Sequence, residues 1–364
     1  LISINKTFLS PFANGNLTAY LNKQIQIIEE TKKIFTFAEK LNKRPLNFMI
    51  NRILIRIKII QILYSFYKSD GKSLPSAEKE LFHSIEKTYD LYYHLLQLAV
   101  EITHYANLRT DARKNKLRPT PEDLNPNMRF VENRYIKQLA SNKQLNKYIS
   151  EHGLSWSNYP EIVKKLYDDI VASDFYAEYM ESPLSDYEAD KNIWKKIYKK
   201  IILQSEELDN SIEEQNIYWT NDIELVVSFI IKTIKRFNAA TGSNQELLPM
   251  FKDEEDVEFA RKLLQNAINH CEEYRELIDK NTKNWELDRI AFMDIVIMQA
   301  ALAELMEFPA IPVNVTLNEF IEIAKIYSTE KSGTFINGVL DNIVGQLKKE
   351  NKLIKVIMLN ENRK

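Results

Sequence analysis

Arg52 and Arg56 lie four residues apart in "NRILIRIKIIQILYSFY", a spacing that sets both guanidinium groups on one face of a helix. Cations beside the free amides of a first helical turn suit a phosphate group. They suit equally well the plain task of solvating the end of a buried helix. Lys58 follows on another part of the wheel as a further cation for phosphate. A second set stands in "EKSGTFINGVLDNI", residues 330–343, where Phe335 follows Gly333 and Thr334. An aromatic ring there can stack on an unpaired base while backbone donors approach, which is how single-stranded RNA is held. The same Phe335 also opens an apolar row, Phe335, Val339, Ile343 and Leu347, of an amphipathic helix. Lys325, opposite the apolar Leu317, Ile321 and Ala324 face, has two readings as well: a phosphate contact or a partner for Glu322.

Two further basic clusters read first as structure. Arg109, Arg113, Lys114, Lys116 and Arg118 close a long helical pattern, where cations complement the negative helix end, and an added RNA contact is the alternative. "WKKIYKK", residues 194–200, has the spacing that buries Trp194 and Tyr198 and exposes the lysines. Catalytic chemistry finds little support. The five histidines, at 83, 94, 104, 152 and 270, form no three-ligand metal pattern. No phosphate-binding glycine loop, nucleophile elbow or dinucleotide fingerprint occurs. No enzyme activity, metal or cofactor is expected.

The elements that must position these residues are helical. Only 7 glycines and 11 prolines punctuate 364 residues, too few turns for a many-stranded sheet. Ile and Leu surround the wheel from Met49 to about residue 67, as in a helix central to a bundle. From Pro75 to Arg109, Phe82, Ile85, Tyr89, Tyr92, Leu96, Ala99 and Ile102 define one buried face. Helical patterns follow at about 127–150, 160–180, 187–208, 213–237, 253–280, 286–308, 314–328 and 332–349. Gly333 is expected to turn the chain into the last helix, with Ser332 near its cap. Gly338, inside that helix at a cost of about 1 kcal/mol relative to alanine, is expected to mark close backbone packing.

With 49 basic and 51 acidic side chains the net charge is −2, so a nucleic-acid site has to be a local patch. No run approaches the roughly 20 uninterrupted apolar residues of a membrane helix. The single Cys271 excludes an internal disulfide and fits a reducing compartment. The expectation is a soluble, cytoplasmic protein.

Residues 284–343, "NWELDRIAFMDIVIMQAALAELMEFPAIPVNVTLNEFIEIAKIYSTEKSGTFINGVLDNI", resemble the C-terminal half of NusB-type transcription antitermination factors. The features that carry the resemblance are Trp285 with Asp288-Arg289, Glu304-Leu305, Ile311-Pro312, Asn318-Glu319 with Glu322, Ala324-Lys325, and Phe335-x-Asn337-Gly338-Val339-Leu340-Asp341. "RIKIIQILYSF" is similar to the family's first helix, and "EFARKLLQNAINHCEEYRELID" to the one before the tryptophan. Three positions depart from the pattern: Gln299 stands where an arginine is usual, the first helix keeps only Arg52 and Arg56, and Lys331 replaces a common acid.

The resemblance implies an all-α, NusB-like helical bundle. It would comprise a leader at 1–48 ahead of a start at Met49, the first helix at 49–67, a helical insertion at 68–252, the C-terminal helices at 253–350 and a tail at 351–364. An ordinary N-terminal extension is the alternative for the leader. The implied partners are boxA-type single-stranded RNA, the ribosomal protein NusE and the transcribing RNA polymerase, in processive transcription of ribosomal RNA genes. RNA would fall to Arg52, Arg56, Lys58, Lys325, Thr334 and Phe335, and the protein partner to Asp294, Asn318, Glu319 and Glu322. The rival reading is a NusB-fold scaffold that binds proteins but not RNA.

Overall fold

The structure is a computed structural model that describes residues 52–69, 73–282 and 290–356. The leader and Met49, Trp285 with Asp288-Arg289, and the tail beyond residue 356 lie outside the described residues. Those described are helical, with no strand among them. They fall into two compact units, one up to Asn269 and the other from His270.

The first unit begins with α1 (Arg52–Lys68), buried on every side from Ile53 to Ile60. It continues with α2 (Leu74–Lys114), 41 residues long and so about 60 Å at 1.5 Å per residue. The Ser73 side chain accepts the Ser76 amide at its start, and Pro75 occupies the first turn, where no amide is missed. Shorter helices pack around α2: α3 (Pro121–Leu124), α4 (Arg134–Ala140), α5 (Lys143–His152), α6 (Pro160–Val171), α7 (Asp174–Glu181), α8 (Tyr187–Lys200), α9 (Glu206–Gln215) and α10 (Ile223–Arg236). With α4, α5, α6 and α10 against it, α2 buries Leu91, Tyr93, His94 and Leu95 as well as the expected face. The expected helix at 127–150 is two helices, because the Asn142 side chain accepts the Leu145 amide and starts a new one. Ser173 and Ser205, in extended backbone, likewise divide the patterns at 160–180 and 187–208. The unit ends with α11 (Glu254–Asn269), which packs on α1.

The second unit holds α12 (Cys271–Asn281), α13 (Phe292–Glu307), α14 (Val313–Tyr327) and α15 (Ser332–Lys349). Helix α13 is its centre: α12, α14 and α15 all pack on it, and every residue from Val296 to Leu305 is buried. Its interior polar groups are paired inward, except the buried Gln299 side-chain oxygen, which has no hydrogen-bond partner. Thr316 donates to Glu304 at 2.8 Å, and Gln299 donates from its amide to the Cys271 carbonyl at 3.1 Å. Gln299 is therefore an interior group, and its departure from the family's arginine removes no surface cation in this chain.

Candidate nucleic-acid interface

The cations of α1 do not form the expected basic face. Lys58 is 1% exposed; its ammonium donates to Asp222 at 2.6 Å and to the Tyr218 carbonyl at 3.4 Å. Thr88 donates to the same carboxylate oxygen at 2.6 Å. Burial pushes the Asp222 carboxyl up, while Lys58 and Thr88 pull it down. Lys58 is thus corrected from a phosphate contact to an interior ion pair. Arg56 is corrected too: it is 3% exposed, with its guanidinium carbon 5.4 Å from the Phe259 ring centroid, so it cannot meet a phosphate in this state. Arg52 retains exposed surface but is engaged by α11. It donates to Asp256 at 3.0 Å, lies 3.8 Å from Glu255, and stacks 5.0 Å over Phe259. The acids in the first turn of α11 complement that helix end, and Arg52 bridges them to α1.

The candidates around the α14–α15 junction do come together. Thr334 is exposed and Phe335 half-buried in the first turn of α15. Lys325, exposed in the last turn of α14, runs its stem across Gly333. A methyl at Gly333 would stand 2.9 Å from Lys325 Cγ and 3.4 Å from Cε. Gly333 lies within the helix, where a turn was expected, and a methyl there would force the Lys325 stem to shift. Gly338 is corrected in the opposite sense, for a methyl there would meet nothing within 4 Å. Lys325 also pairs with Glu322 at 2.6 Å, at the surface, and exposed Lys331 stands at the start of α15. The junction thus gathers an ammonium, a hydroxyl, an aromatic edge and the first-turn amides of an 18-residue helix, groups that suit a phosphate and an adjacent base.

Two of the partner candidates are buried. Asp294, 4% exposed, accepts hydrogen bonds from Ser328 and, at 2.9 Å, from Ser332. Its role is corrected to fastening the α14–α15 connection to the first turn of α13, and Ser332 is held by this contact. Glu319 is buried and is likewise corrected from a docking residue. Asn318 is exposed and Glu322 partly so, one helical turn apart on the outer face of α14. Exposed Val315 extends that face and was missed by sequence reasoning. Its signal was available: an apolar residue out of phase with Leu317, Phe320 and Ala324.

In the second basic cluster Arg113 and Lys116 have a structural partner. Arg113 donates to Asp123 at 2.8 Å and Lys116 at 3.0 Å, holding that carboxyl well below its usual range. In "WKKIYKK", Trp194 and Tyr198 are fully buried and the lysines reach outward. Among the described residues no cluster of His, Cys, Asp or Glu has the makings of a metal site, and no helix is long and apolar enough to cross a membrane.

An all-helical protein with a compact C-terminal unit presenting a helix start beside a lysine is the class defined so far. The NusB family model matches residues 225–345. A Salinibacter ruber protein named transcription antitermination protein NusB is 36% identical over 132 residues, covering 35% of this chain and 82% of that relative. Its namesake from Methylacidiphilum infernorum is 37% identical over 125 residues, covering 33% of this chain and 86% of its own. A solved T. maritima NusB structure is 31% identical, over 34% of this chain and 89% of its own, with a TM-score of 0.26. The chain belongs to the NusB family.

Proposed function

We propose that this protein is a non-catalytic transcription antitermination factor that binds boxA-type single-stranded RNA together with the ribosomal protein NusE. It tethers that RNA to the transcribing RNA polymerase during processive transcription of ribosomal RNA genes. The observation that carries the reading is the grouping of Lys325, Thr334 and Phe335 at one helix junction, in a chain of this family. Phe335 supplies a stacking edge, the start of α15 and Lys325 supply charge for phosphate, and the Asn318–Glu322 face of α14 with Val315 supplies the protein contact. Of the α1 cations only Arg52 retains a part, by exchanging Asp256 for a phosphate. Two weak contacts on one RNA–protein assembly then act at the high effective concentration of a tether. The domain reading is retained as part of this proposal: a NusB-like set of helices carrying a long helical insertion, in the cytoplasm.

The test is equilibrium binding of a boxA strand and a scrambled strand, with and without NusE, at two salt concentrations. The boxA strand should bind more tightly, more so with NusE. Phe335→Leu, which keeps the apolar packing, should weaken binding by about 1–3 kcal/mol, the worth of one stacked base. Equal binding of the two strands with NusE present would sink the proposal.

The burial of Arg56 and Lys58 and the pairing of Arg52 favour a second reading, a NusB-fold interaction scaffold that has lost RNA. It predicts NusE binding that is unchanged by Phe335→Leu and no discrimination between the strands.

A further inference from the structure

The lysines of α8 and α10 form a cation cluster that packing does not explain. Lys191 of α8 donates to the carbonyls of Lys235 at 3.3 Å and Phe237 at 3.0 Å, so this face of α8 lies against the end of α10. Lys195 stands one turn further along that face and finds only the neutral Asn192 oxygen, at 2.9 Å. On α10, Lys232 is 7% exposed and its buried ammonium has no hydrogen-bond partner; its nitrogen lies 4.8 Å over the Phe229 ring. Exposed Lys235 is one turn on. Glu188, whose charge acts on Lys195, is already held by Lys191 at 2.7 Å. Among the described residues no carboxylate forms an ion pair with Lys195, Lys232 or Lys235.

A structural account covers part of this. Lys191 caps orphan carbonyls at the end of α10, and cations in a last turn complement the helix dipole. Lys232 fits neither task. A buried, unpaired ammonium is costly, and an apolar side chain of similar length would fill the place without that cost. Burial, aided by Lys235, pulls the Lys232 amine down to about 8. Burial, then Lys191 and Lys235, pulls down the Lys195 amine as well. These groups raise one another's energy, and an anion arriving from outside relieves all of them together.

We propose that the α8–α10 cluster is a second, sequence-independent contact for the phosphodiester backbone of single-stranded RNA, with Lys195 and Lys235 touching phosphate and Lys232 strengthening the field behind them. This rests on the RNA-binding reading and extends it to a site that joins Lys232 and Lys235, inside the family match, to Lys191 and Lys195, outside it. Lysines act as point charges on phosphate oxygens without reading bases. The cluster belongs to the first unit and the α14–α15 junction to the second, so a strand longer than the short element is the probe that reads it.

The test uses the full chain, NusE and two labelled strands: a boxA strand of about 10 nucleotides and the same element extended with uridines to about 30. The wild type should bind the longer strand more tightly and with a steeper salt dependence. In Lys195→Gln/Lys235→Gln, checked for an unchanged melting temperature, the salt slope on the long strand should fall by about 1.4, or ~0.7 per lost phosphate contact, with the short strand unaffected. Lys232→Met should also flatten the long-strand slope while leaving the fold intact. If the double variant keeps the long-strand advantage, or if it loses a poly-glutamate probe to the same extent, the inference is overturned. Should boxA and scrambled strands bind alike, the parent reading falls by itself, and a plain uridine strand still reports on the lysines: loss in the variant supports them, no loss rejects them.

Discussion

Lys58 and Lys325 each hold a carboxylate at 2.6 Å, one with 2% of either side chain exposed and the other with 50% and 28% exposed. The contact is the same and the consequence is opposite. In the interior, two desolvated charges depend on each other, and removing one strands its partner. At the surface water stands in for either partner, so the pair is worth at most about 1 kcal/mol and Lys325 can exchange Glu322 for a phosphate. Burial, more than residue type, separates the lysine that holds the fold together from the lysine available to a ligand.

The comparison breaks first at Lys58. Lys58→Ala should destabilise the first unit by about 3–5 kcal/mol by leaving Asp222 buried and unpaired. Lys58→Met/Asp222→Leu should restore most of that; denaturant midpoints check both, and a single variant as stable as the double would contradict the argument. The same unit supplies the next largest effect. His94, stacked at 4.1 Å on Trp156 and hydrogen-bonded to Gln215, is pulled from 6.5 to about 4 by burial. Its neutral form is the folded one, so its contribution is complete above pH 6.5 and is lost as pH falls towards 4. Roughly 3 kcal/mol is involved, at 1.36 kcal/mol per unit, and His94→Gln should flatten that part of the stability–pH curve.

Smaller effects belong to the surface junction. Gly338→Ala meets open space and should raise the stability of α15 by up to about 1 kcal/mol, read as a melting shift. A gain in stability with a loss of RNA or NusE binding would mark Gly338 as a place of close approach by a partner. Glu322→Gln should change stability by less than about 0.5 kcal/mol while strengthening RNA binding, because Lys325 is released. Weaker binding would return Lys325 to a purely structural role.

The helical character of both units was legible because period and length survive in the sequence: α1 read as buried all round, α13 as a helix at about 286–308, and the main face of α2 was visible. The breaks at Asn142, Ser173 and Ser205 were harder, since a polar residue in a helical pattern suits a cap as well as a surface. The site was half legible for a different reason. Lys325, Gly333, Thr334 and Phe335 are near neighbours in the chain, so their grouping follows from local spacing. The partners that bury Lys58, Arg56 and Asp294 are distant: Asp222 lies 164 residues from Lys58, and Ser332 lies 38 from Asp294. No local pattern announces such a pair, and an isolated charge reads as surface until its partner is found.

The Lys58–Asp222–Thr88 contact also joins α1, α2 and the residue before α10, three distant parts of the chain. Lys58, Thr88 and Asp222 all precede the stretch matched by the family at 225–345, and they stand 30 and 134 residues apart along the chain. Losing either partner element by itself would strand an ammonium in α1, so such a loss is viable only if Lys58 changes first or at the same time. An ion pair of this kind works as a ratchet on descent: once the charge is buried against a distant part of the chain, neither part can be discarded alone.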